Sequence, residues 1–134
     1  MDNTPFVIKS ASAVIVAACS TIFGGADLWL KTLIAVIALD YATGVLGAWV
    51  KRELNSRVGF AGIGKKMMIL CVVALAARMD MMLNASGALR GLAIGFYVAN
   101  DALSVLENAV VIGVPVPKAL VDKLQQFKGD NGGD

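Results

Sequence analysis

The stretch LWLKTLIAVIALDYATGVLGAWV, residues 28–50, carries charge only at Lys31, near its start, and at Asp40, in its middle. About 20 mainly apolar residues are enough for a helix to cross a bilayer core about 30 Å thick. Trp29 and Trp49 stand near its two ends, where amphipathic rings settle at the two interfaces of a membrane. This stretch therefore reads as a transmembrane helix with one acid near the midplane.

On the N-terminal side, an apolar run from about Phe6 to Phe23 is broken only by Lys9 and ends in Gly24-Gly25-Ala26-Asp27, a turn signal. On the C-terminal side comes a polar stretch with Lys51, Arg52, Arg57, Lys65 and Lys66 against the single acid Glu53. Two more apolar runs follow, at 63–83 and 88–112, parted by Asn84-Ala85-Ser86-Gly87. Gly113-Val114-Pro115-Val116-Pro117 must end the fourth run, because proline lacks an amide proton and disfavours helix in the residue before it. Residues 117–128 place Leu120, Val121, Leu124 and Phe127 at near-helical spacing opposite Asp122, Lys123, Gln125 and Gln126. That pattern predicts a short amphipathic helix on the membrane surface, followed by a frayed tail at 129–134.

Composition agrees with an all-α integral membrane protein forming a single membrane domain over residues 1–134. Hydrophobic residues make up 57% of the chain, charged residues 16%, and the mean hydropathy is +0.72. An average soluble domain has about 25% charged residues. The absence of histidine and the separation of Cys19 from Cys71 leave no ligand set for zinc, haem or iron–sulfur. No nucleophile–base arrangement and no phosphate-binding glycine loop is present, so neither an enzyme nor a cofactor is expected. A net charge of +2 is too small to argue for nucleic acid.

Orientation follows from the excess of Lys and Arg in cytoplasmic loops. With the loop of Lys51, Arg52, Arg57, Lys65 and Lys66 in the cytoplasm, four crossings bring both termini there too, together with Lys9, Lys118, Lys123 and Lys128. The prediction is N-in and C-in in the bacterial cytoplasmic membrane. A three-span version, with the N-terminal helix lying on the surface, stays open because Lys9 must snorkel to the interface. Val16-Ala17-Ala18-Cys19 is similar to a lipoprotein cleavage site, but the single Lys9, partly offset by Asp2, is a poor match to the basic region such signals carry.

Each charge near the bilayer centre costs about 2.5 to 3.5 kcal/mol on insertion scales, so such groups must be paired, protonated or facing water. Asp40 and Asp101 lie near the midplane of their spans. By depth, Lys66 and Glu107 form one candidate pair, each about 10 Å from the centre of its span at a rise of about 1.5 Å per residue. Asp80 and Arg90, across the short turn, form the other. Asp40, Asp101 and Arg78 are left without a depth-matched partner set. Asp40, Gly44, Gly47 and Lys51 share one helical face, and Tyr97, Asn100, Asp101, Ser104, Glu107 and Asn108 form a polar stripe preceded by Gly91 and Gly95. Glycines at such spacing let helices approach closely. Two readings stay open: the stripes are packing seams within one subunit, or at least one faces another subunit and lines water after assembly. The methionines at 67, 68, 79, 81 and 82 read as apolar gap fillers.

Several fragments occur in order: Asp40-Tyr41-x-Thr43-Gly44, Ser56-Arg57-x-Gly59-x-x-Gly62-x-x-Lys65-Lys66, Ala77-Arg78-x-Asp80, Asn100-Asp101-x-Leu103-Ser104-x-Leu106-Glu107-Asn108 and Gly113-x-Pro115-x-Pro117. Together they resemble the bacteriophage holin family that includes the clostridial toxin-secretion holins. The resemblance covers about residues 20–125; the family commonly has Glu where Asp101 stands. It implies a homo-oligomer that forms lesions in the cytoplasmic membrane, through which an endolysin or a toxin leaves the cell. The residues expected to serve assembly or opening are Asp40, Asp101, Asn100, Ser104, Glu107 and Arg78. Gly44, Gly47, Gly91 and Gly95 are expected at close helix contacts. Two other functions compete: a small proton- or cation-coupled transporter, whose usual acid in the first span is absent here, and a passive membrane anchor.

Overall fold

A computed structural model describes residues 5–132. Five helices follow one another: α1 (Phe6–Phe23), α2 (Leu28–Val50), α3 (Ser56–Leu83), α4 (Ala88–Ile112) and α5 (Lys118–Gly132). No strand occurs among the described residues. The first four helices are each long and apolar enough to cross a membrane.

The helix ends are set by local chemistry. Asp27 caps α2 by accepting from Leu30 N at 3.0 Å, and Asn55 caps α3 by accepting from Val58 N at 2.9 Å. Such side chains satisfy amides that have no partner within their own helix. Asn55 explains why α3 begins at Ser56, two turns before the apolar run at 63–83. Gly24 closes α1 with φ 77°, a conformation that suits a residue without a Cβ.

Gly87 precedes α4 and offers no side chain for capping. Asp80, one turn before the end of α3, takes that role: its carboxylate accepts from Leu89 N at 3.1 Å and from Arg90 N at 2.5 Å. The expected Asp80–Arg90 ion pair is thus replaced by a carboxylate-to-backbone cap. The Arg90 side chain instead turns toward the α1–α2 junction. It donates to Phe23 O (2.6 Å) and Gly25 O (2.9 Å), and it forks onto both carboxylate oxygens of Asp27 at 2.8 and 3.0 Å. Asp27, in the loop outside the spans, has its pKa lowered to about 2, chiefly by the hydrogen bond from Arg90.

Helix α4 is the hub, with α2, α3 and α5 all packed against it. The core is small: Leu30 and Leu33 of α2, Val73 of α3 and Ile94 of α4 meet, flanked by Phe23, Ile37, Ile69 and Tyr97. α1 rests on α3 and buries none of its residues. Large apolar side chains such as Phe6, Val14, Trp49, Phe60, Leu75 and Met82 point outward, as expected where the surrounding solvent is lipid rather than water.

The C-terminal helix is longer than expected and docks on α4; of the tail expected at 129–134, residues 133–134 lie outside the described residues. α5 continues to Gly132, and after the turn through Pro115 and Pro117 it doubles back along α4. Its half-buried residues Val121, Leu124 and Lys128 recur at helical spacing and form the packing face.

Candidate functional site

Asp40 lies within a residue of the midpoint of α2, and Asp101 within a residue of the midpoint of α4. Both face the seam between α2, α3 and α4. Lys66 of α3 enters the same seam; its Nζ donates to Asp40 Oδ2 and to Asp101 Oδ2, the latter at 3.0 Å. The Lys66, Asp40 and Asp101 side chains are 19%, 10% and 2% exposed. One ammonium thus joins two carboxylates, for a formal charge of −1 when all three are ionised.

A second layer of polar contacts holds Asp40. Asn108 of α4 donates from Nδ2 to Thr43 Oγ1 at 2.9 Å, and the same amide lies 3.4 Å from both Asp40 O and Asp40 Oδ1. Thr43 donates back to Leu39 O at 2.7 Å. Among the described residues, every buried side-chain nitrogen or oxygen has a hydrogen-bond partner, which is what a low-dielectric interior demands.

Small residues create the room for this arrangement. Tyr41 lies over Gly59 and Gly62 of α3 and donates to Gly59 O at 3.3 Å; a Cβ on Gly62 would stand 3.2 Å from Tyr41 Cε2. Gly44 and Gly47 face Asn108 and Val111 of α4, each at 3.7 Å from the position a Cβ would take. A cleft of about 190 Å³ between α2 and α3 is lined by Asp40, Tyr41, Gly44, Gly62 and Lys66, with Leu54 and Val58 at the end nearest the basic loop.

The structure therefore supplies the partner that Asp40 and Asp101 lacked, and it reassigns Lys66. Lys66 was expected to pair with Glu107, but its ammonium is taken by the two aspartates and Glu107 is exposed. The depth estimate shifted because α3 starts at Ser56: measured on the whole helix, Lys66 is about 5 Å from the midpoint instead of about 10 Å.

The remaining candidates spread out. Asn100 is half-buried and accepts from Lys128 Nζ of α5 at 2.9 Å, and Ser104 is half-buried on α4. Arg78 is exposed, with Nη1 3.7 Å from Met81 Sδ. Gly95 is buried, whereas a Cβ on Gly91 would meet open space, so of that glycine pair Gly91 makes no close helix contact. Lys51, Arg52, Arg57 and Lys65 are exposed at the loop end. Sequence reasoning missed Thr43 and Tyr41 as members of the site. The signal was present, since Thr43 follows Asp40 by three residues on one helical face.

Comparison with known proteins gives a consistent answer. The family described as the bacteriophage holin family matches residues 17–129. An uncharacterized protein of Listeria monocytogenes is 40% identical over 113 residues, covering 84% of this chain and 81% of its own length. An uncharacterized 14.9 kDa protein of Clostridium perfringens is 39% identical over 128 residues, covering 95% of this chain and 97% of its own. The protein named probable holin of Bacillus phage phi105 is 35% identical over 103 residues, or 77% of this chain and 76% of its own. No solved structure matches the chain. Four apolar helices, three of them joined by a lysine–carboxylate cluster, and a family match over most of their length make this multi-pass protein of the bacterial cytoplasmic membrane a member of the bacteriophage holin family.

Proposed function

We propose that the protein accumulates in the cytoplasmic membrane, with both termini in the cytoplasm, and then oligomerises into lesions that release an endolysin or a toxin. The observation that carries this reading is the Lys66 bridge between Asp40 and Asp101. Within one subunit the bridge satisfies groups that hydrocarbon would not accept. The same groups lie on helices with close, glycine-rich contacts, so neighbouring subunits can pack closely on these faces while the bridge holds α2, α3 and α4 together. No reaction chemistry is needed for this role; holins as a family are generally not enzymes.

The test is inducible expression in a bacterium with and without a cytoplasmic wall hydrolase, following culture density and membrane potential. Abrupt depolarisation in both cultures, with lysis only where the hydrolase is present, is the expected result. Asp40→Asn and Asp101→Asn should then each move the time of onset. Unchanged growth and potential after confirmed membrane insertion would remove the proposal.

The cleft between α2 and α3 favours a second reading, a small cation- or proton-coupled transporter, because it leads from the loop end toward Asp40 and Lys66. Solute size separates the two: a transporter passes ions or small molecules, and a folded hydrolase crosses only through a holin lesion.

A further inference from the structure

Helix α5 lies where a polar helix cannot face lipid. Lys128 Nζ reaches Asn100 Oδ1 at 2.9 Å and sits 5.7 Å from the centre of the Phe96 ring. Asn100 is the midpoint of α4. Phe127 shares a cavity of about 210 Å³ with Leu28, Trp29, Thr32, Gly95 and Val98, at the end of α2 remote from the basic loop. α5 therefore penetrates from the loop end to the middle of the bundle. Its packing face is Val121, Leu124 and Lys128, and its outward face carries Lys118, Asp122, Lys123, Gln125 and Gln126, all exposed.

Hydrocarbon excludes such a face, since charged and amide groups at that depth must meet water or polar partners. We infer that α5 lines the water-filled lumen of the assembled lesion, its outward polar face turned to solvent and its Val121–Leu124–Lys128 face held on α4. The inference rests on the lesion-forming reading and adds the element that forms the wall. In a lone subunit surrounded by lipid, the same polar face keeps α5 at the membrane surface, where an amphipathic helix is stable. Docking of α5 and entry of water then occur together, and the half-buried Asn100 gains Lys128 as its partner in the open state only.

Cysteine chemistry tests this. Cys19 and Cys71 are free and exposed, so the background is Cys19→Ser with Cys71→Ser, confirmed to lyse cells alongside a hydrolase. Val98→Cys with Phe127→Cys places one thiol on each side of the α4–α5 contact and leaves Lys128 and Asn100 in place. Asn100→Cys with Lys128→Cys is the second pair, should the first disturb packing. Cells sampled before and after lysis onset are treated with a short membrane-permeant bis-maleimide. The expected result is a severalfold rise in linkage within single chains after onset. In parallel, Gln126→Cys should become reactive to an impermeant maleimide added outside. Absence of the intrachain link in cells that lyse on time, or equal linkage before and after onset, overturns the inference. Protection of Gln126→Cys after onset also overturns it, by showing another copy on that face. Failure of the background chain to lyse cells would strike the lesion-forming reading instead.

Discussion

Lys66 on α3 donates to Asp101 on α4 at 3.0 Å, joining two helices across a sequence separation of 35 residues. Because the same ammonium also holds Asp40 on α2, one side chain fastens three membrane helices at mid-depth. Removing it leaves two carboxylates facing one another.

Lys66→Met should therefore destabilise the fold by about 3 to 5 kcal/mol, the usual effect of leaving a buried charge without its partner. The triple variant Lys66→Met, Asp40→Asn, Asp101→Asn should recover most of that loss, because no unpaired charge remains. Unfolding in mixed detergent micelles measures both. Equal instability of the single and triple variants would show that the cluster acts through shape rather than charge.

Gly47→Ala places its Cβ at ordinary contact distance, 3.7 Å from Val111 Cγ1. The expected outcome is stabilisation of about 0.5 to 1 kcal/mol, from the better helix propensity of alanine. Gly47→Leu should separate α2 from α4 and abolish lysis, since the larger side chain has no space there. The pair is compared by the same unfolding assay and by lysis timing.

Asp80→Ala removes the acceptor for Leu89 N and Arg90 N. The start of α4 then has two half-buried amides without an acceptor. The loss should be about 2 kcal/mol, within the range for an orphaned buried donor. Asp80→Asn keeps an acceptor oxygen and should lose less. Hydrogen exchange at Leu89 and Arg90 reports the cap directly, and unchanged protection in Asp80→Ala would refute it.

The Asp27–Arg90 fork gives a defined pH dependence. The Asp27 carboxyl is held at about 2, below its ordinary value of 3.8. A depressed folded-state pKa contributes stability that is present above about pH 4 and lost as the pH falls toward 2. Asp27→Asn should remove that dependence between pH 4 and 2 while leaving the curve above pH 5 parallel to that of the parent. Melting curves of the two proteins in detergent across this range provide the check.

The four apolar helices were legible because hydropathy, helix length and turn residues all point the same way in segments such as 28–50 and 88–112. The start of α3 was harder: hydropathy rises at Ile63, but the helix begins where Asn55 can cap it, in a stretch polar enough to pass for a loop. That offset misplaced Lys66 in depth and paired it with Glu107. The importance of Asp40 and Asp101 could be read from the cost of an acid at mid-membrane, whereas their shared partner depended on how α3 is rotated against α2 and α4. Arg90 and Asp80 were brought together correctly along the chain, yet the contact is made by the Arg90 backbone. Which atoms of a residue face a neighbour is decided by the turn geometry at Asn84–Gly87, which spacing alone does not fix. The docking of α5 was missed because its polar face matched a surface helix equally well.

The hydrogen bonds of the Arg90 side chain all end on the segment from Phe23 to Asp27, while α1 itself buries no residue. The end of the first helix is thus held from α4, by one guanidinium that grips the Phe23 carbonyl, in addition to the packing of α1 on α3. Most positions along α1 are free to exchange one apolar residue for another without moving the rest of the protein. Arg90 is not free in this way: a lysine there keeps the charge but loses the planar fork, and with it the angle at which the first two helices part.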